Sequence, residues 1–140
     1  MGRIVNDNQL KITESKIKDF KETISDSRKK MKSNGIDSKE IDMLISPMKF
    51  MMEQMKFEVN EYKKIKNGYI PKYLLSFDKL GELIIVLRIK NGLTQKELGD
   101  KIGMAQSQVA RNEFNEYHGT SLGNLKKIIK MLEPKLKMKV

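Results

Sequence analysis

The sequence predicts an all-α protein in two helical blocks, an amphipathic hairpin followed by a compact set of shorter helices, with a candidate strand at the C-terminus. Three observations carry this reading. Apolar residues recur at three- and four-residue spacing from Ile17 to Leu132, and Gly, Asn and Pro punctuate that period. Strict apolar–polar alternation is confined to residues 135–140. The expected organisation is a helical region over 1–68, a linker over 69–75, a compact helical domain over 76–134 and a tail over 135–140.

Met1 to Leu10 shows no period and reads as a loose lead-in. Thr13 is the expected cap of a first helix whose seam is Ile17, Phe20, Ile24 and Met31. Ser33-Asn34-Gly35 stops it, and Asp37 with Glu40 forms a capping-box pattern that opens the next helix. Ser46-Pro47 reads as a fresh cap with proline in the first turn, so a kink or restart is expected there. From Met48 the apolar set continues through Met51, Met52, Met55, Val59, Tyr62 and Ile65 to Asn67-Gly68. Five of the ten methionines lie between Met43 and Met55. They suit either irregular gaps between packed helices or an exposed surface for another protein.

Pro71 biases Ile70 away from helix and marks the linker. In the second block Ser76 caps a helix through Leu80, Leu83, Ile84, Leu87 and Arg88, ended by Asn91-Gly92. Thr94 and Glu97 make a second capping box, with Leu98 and Ile102 inward and Gly103 as the break. A short helix from Gln106 to Glu113 turns Val109 inward. After a loop through Tyr117-His118-Gly119, Ser121 caps a last helix bearing Leu122, Leu125, Ile128, Ile129 and Leu132, and Pro134 ends it.

Composition narrows the function. The 140 residues carry 28 Lys+Arg against 18 Asp+Glu, a formal charge of +10. That balance points to a polyanion, with nucleic acid first. There is no Cys and one His, so disulfides, thiolate nucleophiles, zinc fingers and His-based triads are absent or hard to build. The reading is therefore not an enzyme, with no cofactor and no metal. The lack of Cys, of a signal-peptide core and of a membrane-length apolar run sets the expectation of a cytoplasmic protein, nucleoid-associated in a bacterium, without a membrane partner.

The stretch Gly92-Leu93-Thr94-Gln95-Lys96-Glu97-Leu98, followed by Ile102-Gly103-Met104-Ala105-Gln106-Ser107-Gln108-Val109, places two short helices around a tight turn. It resembles the helix-turn-helix of the Cro/repressor-type (XRE) DNA-binding family over about Leu80 to Leu132, and the first 68 residues match no family. A helix enters the major groove when its inward face is locked and its outward face is polar. Leu98, Ile102 and Val109 supply the lock, and Gln106, Ser107, Gln108 and Arg111 form the polar face. Glutamine can fork onto adenine and arginine onto guanine. The resemblance implies that these four read bases, and that Gln95 contacts the backbone and braces Gln106. Thr94, Gln95, Lys96, Asn115 and His118 are the candidate phosphate contacts, Gln95 because it sits at a helix N-terminus. His118 reads first as a loop or packing residue and second as a phosphate contact. Two departures from the family pattern stand out. Asn112 occupies a usually apolar position, so Phe114 is expected to supply that packing, and Ala105 replaces a capping Ser or Thr.

The alternating tail presents Leu136, Met138 and Val140 on one face as candidate dimerisation residues. Such a strand is stable only when paired, and a two-fold partner would set two reading helices one DNA turn apart. The expected function is a dimeric, sequence-specific repressor acting on double-stranded DNA. The alternative is an antitoxin whose N-terminal half masks a toxin or another regulatory protein while the C-terminal half autoregulates its operon.

Overall fold

A computed structural model describes residues 3–137. Among them lie six α-helices: α1 (Asp7–Ser33), α2 (Ser38–Lys66), α3 (Leu80–Lys90), α4 (Gln95–Ile102), α5 (Gln106–Phe114) and α6 (Leu122–Leu132). The protein is all-α, and none of the described helices is long and apolar enough to cross a membrane. The chain divides into two compact units, Met1–Tyr62 and Lys63–Val140, and the division falls inside α2.

The first unit is the expected hairpin, with two corrections. α1 starts at Asp7, not near Thr13, because Asn6 caps it. The Asn6 carboxamide accepts from the Gln9 N–H at 2.7 Å, and the Gln9 side chain accepts from the Val5 N–H at 2.9 Å. The Asn6 bond satisfies an orphan donor of the first turn, so residues 7–10 of the expected lead-in are helical. α2, in turn, runs unbroken through Pro47. Proline removes one N–H from the ladder, and the packing of Ile45, Met48 and Met52 around Ile24 and Ile41 keeps the helix going on both sides. The Tyr62 hydroxyl donates to Asp7 at 2.7 Å and Arg28 to Asp42 at 2.9 Å, which fixes the register of the two helices.

In the second unit the expected linker is partly packed, since Pro71 and Leu74 are buried around a 3-10 turn at Lys72–Leu74. Ser76 caps a second 3-10 turn, Phe77–Lys79, rather than α3 itself. α3 is buried on every side from Leu83 to Ile89, so it is the centre on which α5 and α6 pack. Each fully buried Leu or Ile there contributes roughly 1.5–3 kcal/mol. Asn91 donates to the last carbonyl of α6 at 3.0 Å and Lys90 pairs with Glu133 at 2.7 Å, tying the ends of the two helices together.

Of the expected strand over 135–140, the described residues 135–137 form no strand. Pro134 and Lys135 form a turn in which the Leu136 N–H donates to the Glu133 carbonyl at 3.1 Å, and Leu136 is half-buried. An alternating segment without a partner strand gains no ladder bonds, and the turn bond takes their place. The other two candidate dimerisation residues, Met138 and Val140, lie outside the described residues.

Candidate nucleic-acid interface

The geometry of the α4–turn–α5 unit begins with its caps. The Thr94 hydroxyl accepts from the Glu97 N–H at 3.1 Å while the Glu97 carboxylate accepts from the Thr94 N–H at 3.2 Å, the full capping box. Gly103 ends α4 with φ of +73°, a left-handed conformation that costs glycine nothing. Gly99 is needed for a different reason. The Met104 N–H donates to the Gly99 carbonyl at 2.8 Å, and a Cβ on Gly99 would lie 2.3 Å from the Met104 carbonyl oxygen. The turn therefore closes against bare backbone. Leu98 and Val109 are fully buried behind it and hold α5 on α4. Ala105 supplies no side-chain cap, as its residue type dictates, and α5 starts there with extended backbone.

A buried ion pair sets the orientation of α5. Arg88 on α3 donates from Nε to Glu113 at 2.5 Å and from Nη2 at 2.9 Å, with both side chains almost fully buried. Its Nη1 donates to the Leu93 carbonyl at 2.7 Å. The Gln95 amide donates to the same Glu113 carboxylate at 3.0 Å. Gln95 thus braces α5 through Glu113 and not through Gln106, because the carboxylate sits where the first turn of α4 meets α5. The network joins α3, the capping loop, α4 and α5 around one carboxylate. Neither Arg88 nor Glu113 is legible as a partner in the sequence, where they stand 25 residues apart.

The outward face of α5 is then fixed. Gln106, Ser107 and Arg111 are exposed, as the sequence suggests. Gln108 is half-buried and donates to Asn112 at 2.9 Å, and Asn112 donates to the Met104 sulfur at 3.3 Å. Asn112 is accommodated by polar contacts within the turn, so Phe114 has no packing role. Phe114 is 88% exposed, which overturns the expectation that it replaces an apolar residue there. The buried aromatic is Tyr117, carried inward by left-handed backbone at Glu116 and Tyr117 (φ of +52° and +58°). Burial and the neighbouring Glu113 carboxylate both push the Tyr117 phenol above its usual range, with Arg88 opposing, so it stays protonated. Ser107, Arg111 and Phe114 stand four and three residues apart, which sets them on one line of the exposed face.

The candidate phosphate contacts border that face. Thr94 and Lys96 are exposed at the N-terminus of α4, and Gln95 is half-buried in the brace. Asn115 is the C-cap of α5. His118 is exposed in the following loop, its Nε2 4.0 Å from the Glu116 carboxylate.

Residues 84–133 match the family model described as Helix-turn-helix. The match starts inside α3 and ends just beyond α6, over the segment whose sequence resembles the Cro/repressor type. The helix-turn-helix match supports DNA binding by this segment. Neither the curated proteins nor the solved structures give a match to the chain.

Proposed function

We propose that the protein is a sequence-specific transcriptional repressor that acts as a dimer, inserts α5 into the major groove and reads bases with Gln106, Ser107 and Arg111. The observation that carries this reading is the division of α5 into two faces. Val109 and Glu113 are buried against a braced scaffold, while Ser107 and Arg111 on the opposite side and Gln106 at the start of the helix are exposed. A helix held this rigidly can spend its outward side chains on base edges without losing its orientation. Gln108, half-buried on Asn112, orients the first turn rather than leading the readout. Phe114 extends the face with an apolar group suited to a thymine methyl.

Duplex DNA from the region upstream of the protein's own gene tests the reading. Binding is expected to exceed that to a scrambled duplex by 10³-fold or more, on the order seen for specific sites. Its log K should fall with log salt by about 0.9 per phosphate contact. Equal affinity for both duplexes at every salt concentration would contradict it.

The antitoxin reading remains the second proposal, because the compact unit Met1–Tyr62 lies outside the matched segment. It requires that co-production of this chain relieve growth arrest caused by the product of an adjacent gene. Growth arrest unchanged by the full chain would dismiss it.

A further inference from the structure

α2 is apolar on two opposite faces, and among the described residues only one of them has a partner in the fold. Ile41, Ile45, Met55, Val59 and Tyr62 are buried on the side where Ile41 and Ile45 meet Ile24 of α1. Met43, Phe50 and Phe57 repeat every seven residues about 200° round the helix from Ile41. They are 76%, 65% and 64% exposed. A surface helix ordinarily keeps its outer face polar. A row of three large apolar side chains on that face marks an interface.

The sequence along this row says what covers it. The apolar positions are symmetric about Phe50, with Met43 seven residues before it and Phe57 seven after. Lys39 stands four residues before Met43, and Glu61 four residues after Phe57, on the same side of the helix. A second copy laid antiparallel, with Phe50 on the two-fold axis, therefore meets Met43 with Phe57 and brings Lys39 toward Glu61 at both ends. Parallel pairing would instead set Lys39 against Lys39 and Glu61 against Glu61. We infer that the outer face of α2 is a self-association surface, on which two copies of this chain pair antiparallel about Phe50.

The inference deepens the dimer part of the repressor reading by placing its interface, and it rests on residues outside the DNA-binding segment. It is tested on the full chain without DNA, so a failure of DNA binding leaves it untouched. Sedimentation should show a dimer at micromolar concentration. Phe50→Glu places two carboxylates at the axis and should raise the dimer dissociation constant about 30-fold or more, as loss of an interface hot spot does. The circular dichroism spectrum and melting midpoint of the monomer should not change, because the side chain is exposed. Lys39→Glu should weaken the dimer, and adding Glu61→Lys should restore it.

Because the chain has no cysteine, cross-linking gives a clean reading of direction. Phe50→Cys should oxidise to a disulfide-linked dimer, Met43→Cys alone should not, and Met43→Cys with Phe57→Cys should. A monomeric wild type, a Phe50→Glu variant that stays dimeric, or efficient cross-linking by Met43→Cys alone would each overturn the proposal. So would a stable complex of this face with another protein in the absence of self-association.

Discussion

Glu113→Ala is expected to lower the unfolding free energy of the C-terminal unit by about 3–5 kcal/mol, the cost of leaving a buried guanidinium without its partner. The substitution removes the two carboxylate acceptors of Arg88 and the acceptor of Gln95 at once. Arg88 is then held by the Leu93 carbonyl alone among these contacts, in a site with almost no access to water. The midpoint of that unit's thermal transition, followed by circular dichroism, should drop by more than about 10 °C. The double replacement Arg88→Met with Glu113→Leu should recover much of the loss, since an apolar pair of similar volume leaves no charge unpaired. Specific DNA binding should not recover with stability, because the carboxylate that fixes Gln95 and α5 is gone. A Glu113→Ala midpoint within 2–3 °C of wild type (~0.5 kcal/mol) would show that the pair is not needed to hold α5.

Gly99→Ala is the second large effect, and its cause is steric. The added Cβ would approach the Met104 carbonyl oxygen at 2.3 Å, closer than van der Waals contact permits, and that atom is backbone that cannot swing aside. Either the turn opens, which breaks the 2.8 Å bond between the Met104 N–H and the Gly99 carbonyl, or α5 shifts on α4. The expected cost is about 1–3 kcal/mol of stability by chemical denaturation. DNA binding should suffer more than stability, since a displacement of α5 moves Gln106, Ser107 and Arg111 together. A variant with unchanged affinity for a specific duplex would mean that α5 does not carry the readout.

Much of the C-terminal unit is legible in the sequence because its signals are local. Thr94 and Glu97 cap a helix three residues apart, Gly103 ends it, and Ser121 caps the last one, accepting from the Asn124 N–H at 3.2 Å. What the sequence hides is pairing at a distance. Arg88 looks like a solvated residue in the last turn of α3, and its burial depends on a carboxylate two helices later. The choice between Phe114 and Tyr117 as the packed aromatic is equally non-local in effect. It turns on two successive left-handed residues of types that seldom adopt that conformation. The start of α1 was open to inspection, since Asn6 and Gln9 have the spacing of a capping box, but the lack of apolar period over the first ten residues concealed it. At Pro47 the local rule loses to packing on both sides of the proline. Gly99 falls between these cases. Its residue type is visible, and only the folded turn shows that the lack of a side chain is what matters.

If α5 reads sequence through side chains that do little for the fold, Arg111→Ala separates the two roles. Arg111 is exposed, so the variant should melt with the wild type. A preferred duplex selected from a random library is titrated with both proteins, alongside a scrambled duplex of equal length and at matched salt. A bidentate contact to guanine predicts a loss of about 1–3 kcal/mol on the selected duplex, with relaxed preference at one base pair and little change on the scrambled one. Equal losses on the two duplexes would make Arg111 a phosphate contact and would contradict base reading by α5.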